Sequence, residues 1–131
     1  MAIVLSNSSG KPIYEQITEQ IKSEILTGVR QAGEQMPSIR TLAKDLRVSV
    51  ITTKRAYEEL ERDGFVETVP GRGTYVALQN RQALREEQYR RAEAKLLEAV
   101  EIAKGAGITE KELTGCLHEL YGGGDALTHW N

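Results

Sequence analysis

The fold is decided by residues 37–76, which read PSIRTLAKDLRVSVITTKRAYEELERDGFVETVPGRGTYV. Ser38 precedes a short run with helical apolar spacing, so the sequence predicts a first helix with Ser38 as its N-cap. Arg47 and Val48 form a turn, and Ser49 is the expected cap of a second helix that runs to Asp63. The apolar face of the first helix consists of Ile39, Leu42, Ala43 and Leu46. Two short helices joined this closely predict a helix-turn-helix.

The second of these helices has two contrasting faces. The spacing predicts a core face made of Val50, Thr53, Ala56, Tyr57 and Leu60. The opposite face carries Ser49, Ile51, Thr52, Lys54 and Arg55. A helix that enters the major groove with its N-terminus first needs short hydrogen-bonding residues at its start and long cations one turn later. An ordinary amphipathic helix, with hydroxyl caps and solvated cations, has the same pattern.

A β-hairpin is predicted directly after the second helix. Residues 65–69 and 74–78 have strand character, with a four-residue turn between them. Gly71 and Gly73 flank Arg72 in that turn, and glycine permits the left-handed backbone and the close approach that phosphates require. The long cation of Arg72 can reach into a minor groove. Arginine is common in turns, but a hairpin at this distance from a helix-turn-helix indicates a winged helix-turn-helix that binds double-stranded DNA.

The formal net charge of −2 conceals an uneven distribution. Between residues 36 and 57, five basic residues accompany one acidic residue, whereas residues 58–67 contain five acidic residues and one basic residue. A basic region at the helix-turn-helix suits contacts with phosphates, which supply most non-specific affinity for DNA. The alternative for such a run is a solvated surface of mixed charge.

Length and composition fit one small domain with an appendage. The chain has 131 residues, of which 40% are hydrophobic. Neither a signal peptide nor a membrane-spanning helix is expected, because the start lacks a basic region and the chain lacks a long apolar run, so a cytoplasmic location is predicted. The single cysteine, Cys116, cannot form an internal disulfide and is expected to be a small buried residue in a reducing compartment.

A scaffold helix is predicted ahead of the helix-turn-helix, over residues 12–28. Pro12 begins it and Gly28 ends it. One face carries isoleucine at every fourth residue, namely Ile13, Ile17, Ile21 and Ile25. The polar face has no basic stripe, so we expect this helix to pack against the domain and not to contact DNA.

Several linked motifs occur in a fixed order. They are MPSIRTLA at residues 36–43, VS at 48–49 with Thr52, RAYEELERDGFV at 55–66 and GRGTYV at 71–76. With PIYEQI at residues 12–17, they make residues 12–78 resemble the N-terminal domain of GntR-type bacterial transcription regulators. The resemblance implies a mainly α fold with a small β-wing, a winged helix-turn-helix followed by a two-helix dimerisation tail.

The resemblance also implies which residues contact DNA. In that family the arginine of a Ser-x-Arg motif contacts the DNA backbone and bases, and here it corresponds to Arg40. The expected DNA-binding residues are Ser38, Arg40, Thr41, Lys44, Ser49, Ile51, Thr52, Lys54, Arg55, Gly71, Arg72 and Gly73. This chain departs from the family at Val50, where many members carry arginine, so operator preferences cannot be transferred base by base.

Two further helices are predicted in the C-terminal region, residues 79–131, which follows the DNA-binding domain of residues 1–78. Gly105 and Gly107 are expected to break the first of them, and Thr109 to cap the second. Two helices alone cannot enclose a ligand pocket. This short tail resembles that of the YtrA subfamily, and the resemblance implies that its helices mediate dimerisation. The expected dimerisation residues are Tyr89, Ala92, Leu96, Ala99, Val100, Ala103, Leu113, Leu117 and Leu120.

The predicted function is therefore sequence-specific repression of transcription by a homodimer on an inverted-repeat operator. Its expected partners are double-stranded DNA and a second copy of the chain, with no cofactor and no membrane. The sequence leaves open whether an unidentified small-molecule effector also binds. The alternative is a winged-helix interaction module that binds protein or RNA, which the acidic surface and Val50 would suit. Steep salt dependence and preference for duplex would favour the regulator.

Other chemistry has little support in the sequence. The spacing of Cys116, His118, Glu119 and His129 matches no zinc pattern, so no metal site is expected. Two glycines at positions 71 and 73 are too few for a nucleotide-binding loop. No combination of nucleophile, base and orienting acid is indicated, which argues against an enzyme. The tail of residues 122–131 contains Trp130. The sequence leaves open whether this tail docks on a partner subunit or is disordered.

Overall fold

A computed structural model describes residues 3–78 and 81–122 of the chain. Within these residues there are seven elements: α1 (Ile13–Leu26), α2 (Ile39–Leu46), α3 (Val50–Arg62), β1 (Val66–Val69), β2 (Gly73–Val76), α4 (Arg81–Ala106) and α5 (Glu110–Gly122). They confirm the expected mainly α fold with a small antiparallel wing. The chain separates into two compact units, residues 1–86 and 87–131.

The core of the first unit is built on the isoleucine face of α1. Ile17 and Ile21 are completely buried, and Ile25 is nearly so, because a four-residue spacing keeps all three on one side of the helix. They pack with apolar side chains of α2, α3 and the hairpin, namely Leu42, Ala56, Tyr57, Leu60, Phe65, Val66 and Val76. Each large side chain buried in this way contributes roughly 1.5–3 kcal/mol. This core fixes the helix-turn-helix on α1.

Two buried cations of the first unit have acidic partners. Lys22 Nζ of α1 lies 2.7 Å from Asp63 Oδ2, at the C-cap of α3, and 5.2 Å from the centroid of the Phe65 ring. Arg30 Nε lies 2.9 Å from Glu24 Oε1. Among the described residues, no buried side-chain nitrogen or oxygen lacks a hydrogen-bond partner. Lys22 and Arg30 thus stabilise the scaffold through these ion pairs.

The hairpin is shorter than the sequence predicted. β1 and β2 pair from Val66 opposite Val76 to Val69 opposite Gly73. The first strand was expected to begin at Phe65 and the second to end at Leu78, but the paired strands begin at Val66 and end at Val76. Beyond them, one backbone hydrogen bond of 3.0 Å joins Ala77 N to Phe65 O. The side chain of Phe65 is instead part of the core, at 2% exposure.

The second unit contains most of α4 and all of α5. Gly105 lies within α4, so the prediction that it breaks the helix was wrong: glycine is tolerated in a helix at a cost of about 1 kcal/mol. Gly107, with φ of 72°, follows the helix end as predicted. Thr109 caps α5, since its Oγ1 accepts from Glu112 N at 3.1 Å while Glu112 Oε2 accepts from Thr109 N at 2.8 Å.

In the ranges 3–78 and 81–122, no helix is both long enough and apolar enough to cross a membrane.

Candidate nucleic-acid interface

The N-terminus of α2 is capped by a side chain, as predicted. Ser38 Oγ accepts a hydrogen bond from Thr41 N at 3.1 Å and donates one to Thr41 Oγ1 at 2.8 Å. The cap leaves Arg40 and Lys44 exposed on the helix surface, and neither has an ion-pair partner within the described part of the chain. Two unpaired cations are therefore presented on the first helix of the motif.

The turn between α2 and α3 is tight and left-handed. Arg47 has φ of 59° and ψ of 44°, and the Val48 N–H bonds to the Ala43 carbonyl at 3.0 Å. A non-glycine residue in this conformation costs roughly 1 kcal/mol, which the packing of α2 on α3 offsets. The geometry leaves the Arg47 side chain exposed beside the start of α3.

The first turn of α3 repeats the cap of α2. Ser49 Oγ accepts from Thr52 N at 3.0 Å and donates to Thr52 Oγ1 at 2.8 Å. Ile51 is 81% exposed, and Lys54 and Arg55 are exposed one turn further along. An apolar side chain so exposed at a capped helix start has no role in the core, and it suits contact with a thymine methyl.

One predicted core position of α3 was wrong. Val50 is 46% exposed, whereas Thr53, Ala56, Tyr57 and Leu60 are buried as expected. Val50 is the first residue of α3, one turn before the buried positions begin at Thr53. The exposed face at the start of α3 is thus wider than the periodicity indicated, and it includes two adjacent apolar side chains, Val50 and Ile51.

Arg55 has a partner that sequence reasoning missed. Its Cζ lies 3.8 Å from the centroid of the Tyr14 ring, and its Nη2 donates to Tyr14 Oη at 3.0 Å. Tyr14 belongs to α1, 41 residues earlier in the chain. Because Tyr14 Oη accepts from arginine, its own proton is available to a second acceptor. No local pattern could have revealed this pair, although Tyr14 was part of the motif PIYEQI.

An open groove runs along the outer face of α3. Its walls consist of Ile51, Lys54, Arg55, Glu58, Glu59 and Arg62. Lys54 and Arg55 lie nearer the N-terminus of the helix, and the carboxylates of Glu58 and Glu59 follow. The cation at the C-terminal end, Arg62, is paired with Glu59 at 3.6 Å. The N-terminal half of this face is therefore the part suited to a polyanion.

The N-terminal segment also reaches the start of α3. The side-chain amides of Gln16 and Gln20 hold its backbone: Ser6 N bonds to Gln16 Oε1 at 2.9 Å and Val4 N to Gln20 Oε1 at 2.8 Å. A second groove is lined by Leu5, Asn7, Ile13, Leu46, Arg47, Val48, Ser49 and Thr52. Sequence reasoning left this segment out of the interface.

The tip of the hairpin has the glycine geometry that was expected. Gly71 and Gly73 have φ of 77° and 116°, and Arg72 N bonds to the Val69 carbonyl at 2.9 Å, which closes a four-residue turn. Arg72 is exposed. Its carbonyl oxygen accepts from Gln35 Nε2 and from Tyr75 Oη, each at 3.2 Å.

The predicted dimerisation residues are mostly exposed in the single chain. Tyr89, Leu96, Leu117 and Leu120 are 64%, 49%, 42% and 42% exposed. Ala92 is also exposed, Ala99, Val100 and Leu113 are half-buried, and Ala103 is buried. Other exposed apolar side chains of the same region are Leu97, Ile102, Ile108 and Tyr121. An apolar surface this extensive on two helices is typical of a face that another chain covers.

Cys116 is exposed, so its predicted burial was wrong. It lies on α5 one turn from Leu113 and Leu120, on the apolar face that the single chain leaves open. Around it, the described residues contain no group of three or more His, Cys, Asp or Glu placed to hold a metal ion. His129, Trp130 and the rest of the tail beyond Gly122 lie outside the described residues.

Comparisons with known proteins identify relatives of the DNA-binding domain and of most of the chain. Residues 13–76 match the model of the family described as bacterial regulatory proteins, gntR family. The HTH-type transcriptional repressor YtrA of Bacillus subtilis (strain 168) is 35% identical over 118 residues, which cover 90% of this chain and 91% of the repressor.

Solved structures extend the likeness to the fold. A structure described as a transcriptional antiterminator from Listeria monocytogenes EGD-e is 32% identical with a TM-score of 0.74, and the match covers 92% of this chain and 90% of that one. The DNA-binding domain of AraR in complex with operator ORX1 is 28% identical with a TM-score of 0.53 over 59% of this chain and 96% of that one.

Proposed function

Because the chain belongs to the gntR family of bacterial regulatory proteins, we propose that it represses transcription by binding an inverted-repeat operator as a homodimer. The observation that carries the proposal is the start of α3. A serine-capped helix presents hydroxyl, apolar and cationic side chains in the order that major-groove recognition needs, with nothing from the described chain covering Ile51.

The proposed contacts divide into two kinds. We assign base contacts in the major groove to the residues at the start of α3, namely Ser49, Ile51, Thr52 and Lys54. We assign contacts with the DNA backbone to Ser38, Arg40, Thr41, Lys44 and Arg55, and contacts at the minor groove to Gly71, Arg72 and Gly73. Such phosphate contacts set affinity and register, whereas base contacts set specificity. The operator complex of AraR, a protein with the same fold, supports a duplex as the partner.

Tyr14 joins this set by virtue of its contact with Arg55. The guanidinium lies over the ring, with Cζ 3.8 Å from the centroid, and the phenol proton remains free to donate. A guanidinium edge and a phenol hydroxyl 3.0 Å apart form a pair of donors that suits one phosphate group. We therefore place Tyr14 with Arg55 at the DNA backbone.

The homodimer is supported by the exposed apolar side chains of α4 and α5. Leu117 and Leu120 lie on one face of α5, and a second copy of the chain would remove them from water. Two DNA-binding domains held by such a dimer would occupy half-sites about 34 Å apart on one face of the duplex. Linking the two sites raises the affinity beyond that of either alone.

The same proposal gives the two parts of the chain separate tasks. Residues 1–78 bind DNA and residues 79–131 dimerise, in a protein that acts in the cytoplasm. Any small-molecule effector would act by changing the distance between the two DNA-binding domains, since the affinity for a palindrome depends on half-site spacing.

The decisive experiment is selection of bound duplexes from a random pool, followed by fluorescence anisotropy across a salt series. We expect a palindromic site and an affinity that falls steeply with salt. Arg40→Ala should weaken binding by about 1–3 kcal/mol, while Arg62→Ala, on the acidic half of α3, should have little effect. Failure to enrich any sequence, or equal binding of single-stranded RNA, would contradict the proposal.

A further inference from the structure

The linker that precedes α2 pairs with the free edge of β2, although it forms no strand of its own. Gln35 pairs with Tyr75 of β2, and the backbone bonds Gly33 N to Val76 O, Val76 N to Glu34 O and Met36 N to Thr74 O are each 2.8 Å long. β2 therefore lies between β1 and this linker. The pairing fixes the backbone of Gln35 beside the hairpin, 37 residues before the tip in sequence.

From that position the Gln35 side chain reaches the tip itself. Its Nε2 donates to the carbonyl oxygen of Arg72 at 3.2 Å, and the same oxygen accepts from Tyr75 Oη at 3.2 Å. A carbonyl oxygen has two lone pairs, and both are used here. The peptide group that joins Arg72 to Gly73 is thereby held by two side-chain donors.

The conformation that results is one that only glycine adopts readily. Gly73 has φ of 116°, and a Cβ atom built there would lie 3.0 Å from Gln35 Nε2. Gly71, on the other side of Arg72, also has positive φ, so Arg72 lies between two glycines. Without hydrogen bonds from outside the turn, a tip of this composition would sample many conformations, and the Arg72 side chain would point in many directions.

We propose that Gln35, with Tyr75, is a positioning residue that fixes the wing tip so that Arg72 is presented in one direction to the minor groove. The inference rests on the proposed DNA-binding function and deepens it at the same site. Gln35 touches no DNA in this scheme. It acts by ordering the tip before the complex forms, which removes part of the entropy that binding would otherwise lose.

The test is a double-mutant cycle on the selected palindromic duplex, read by fluorescence anisotropy at one salt concentration. Gln35→Met keeps the length of the side chain and removes the donor, and Tyr75→Phe removes the second donor. Each is measured in the wild-type protein and in Arg72→Ala. Gln31→Met is the matched control, because Gln31 Nε2 also donates to a backbone carbonyl, that of Gly28, at 2.8 Å. Thermal melting shows that each variant is folded.

We expect Gln35→Met to weaken binding about three- to tenfold in the wild-type protein and less than about twofold when Arg72 is already alanine. Gln31→Met should leave affinity unchanged. Two results would overturn the inference: an equal loss of affinity in the wild-type and Arg72→Ala backgrounds, or no loss in either. The proposed function would still stand in that case, provided that Arg72→Ala alone weakened binding. If the wild-type protein bound no duplex, the proposed function itself would fail, and the inference with it.

Discussion

The guanidinium of Arg55 lies over the ring of Tyr14, with Cζ 3.8 Å from the ring centroid and Nη2 3.0 Å from the phenol oxygen. This pair ties α3 to α1 at the exposed surface of the first unit. It also decides where one of the candidate phosphate-binding cations points, because the ring restricts a side chain that would otherwise rotate freely.

Tyr14→Phe should lower the affinity for the selected duplex by about 1 kcal/mol while leaving the fold intact. The ring still supports Arg55, but the hydroxyl that accepts from Nη2 and donates to phosphate is gone. Fluorescence anisotropy measures the change, and Tyr121→Phe, whose phenol is exposed on α5, is the control. Unchanged affinity in Tyr14→Phe would remove Tyr14 from the interface.

Ser49 combines a cap with a candidate base contact, and substitution can separate the two. Ser49→Ala should lower the free energy of unfolding by about 1 kcal/mol, because Thr52 N loses its acceptor. Ser49→Asn should retain the cap and the stability but still change the affinity for DNA. Urea denaturation and anisotropy report the two effects, and an asparagine variant as unstable as the alanine variant would contradict the capping role.

Gly73→Ala and Gly115→Ala should have opposite effects on stability. At Gly73 the φ of 116° and the contact with Gln35 Nε2 penalise a Cβ atom, so we expect a loss of about 1–3 kcal/mol. Gly115 lies within α5, and a Cβ atom added there would meet nothing within 4 Å, so alanine should gain about 0.5–1 kcal/mol. Denaturant titrations compare both, and a neutral Gly73→Ala would mean that the tip is loosely held.

Tyr57 makes the stability of the first unit sensitive to alkaline pH. Burial raises its pKa from 10.0 to about 12, although the charge of Arg30 opposes the shift, and its hydroxyl donates to the Pro37 carbonyl at 2.6 Å. The unfolded tyrosine ionises first as the pH rises, so the contribution of the neutral phenol is complete below pH 10 and is lost between pH 10 and about 12. A pKa difference of this size corresponds to roughly 2–3 kcal/mol.

Tyr57→Phe isolates that effect from other alkaline titrations. At neutral pH the variant should be less stable than the wild type by about 1 kcal/mol, because the Pro37 carbonyl loses its donor. The difference should shrink from pH 10 upward and reverse at about pH 11, where ionisation of the unfolded tyrosine has cost the wild type about 1 kcal/mol. Urea denaturation at a series of pH values measures it, and a constant difference across that range would show that Tyr57 does not titrate as expected.

Leu117→Glu should dissociate the proposed homodimer, since a carboxylate would be buried against the apolar face of the second copy. Sedimentation velocity over a range of concentrations measures the mass. Lys111→Glu is the control, because it introduces the same side chain about 120° away from Leu117 around the axis of α5. Should both variants remain dimeric, the apolar face of α5 is not the interface.

Most of the helix-turn-helix could be predicted because its determinants are local. Ser38 and Ser49 cap helices that begin at the next residue, and the apolar period of α1 identifies its buried face without knowledge of what covers it. The same local reasoning failed at Val50 and Cys116. Periodicity reports which side of a helix is apolar, but whether another element reaches that position depends on the tertiary arrangement.

The missed contacts share a different cause. Tyr14 meets Arg55 across 41 residues and Gln35 meets Arg72 across 37, and polar pairs of this kind leave no periodic trace in a single sequence. Both pairs involve residues that had been assigned to scaffold or linker. The candidate site is therefore larger than its sequence motifs, because the fold brings supporting residues to it from outside the helix-turn-helix.

The central position of β2 bears on how this protein avoids aggregation. A hairpin that must stay exposed to meet its partner offers free edges to any passing strand. Here one side of β2 is occupied by β1 and the other by the linker at residues 33–36, and on β1 the Thr68 N–H is taken by Glu61 Oε2 at 3.1 Å. The tip half of the hairpin can thus remain exposed with few backbone groups left for β-pairing between chains.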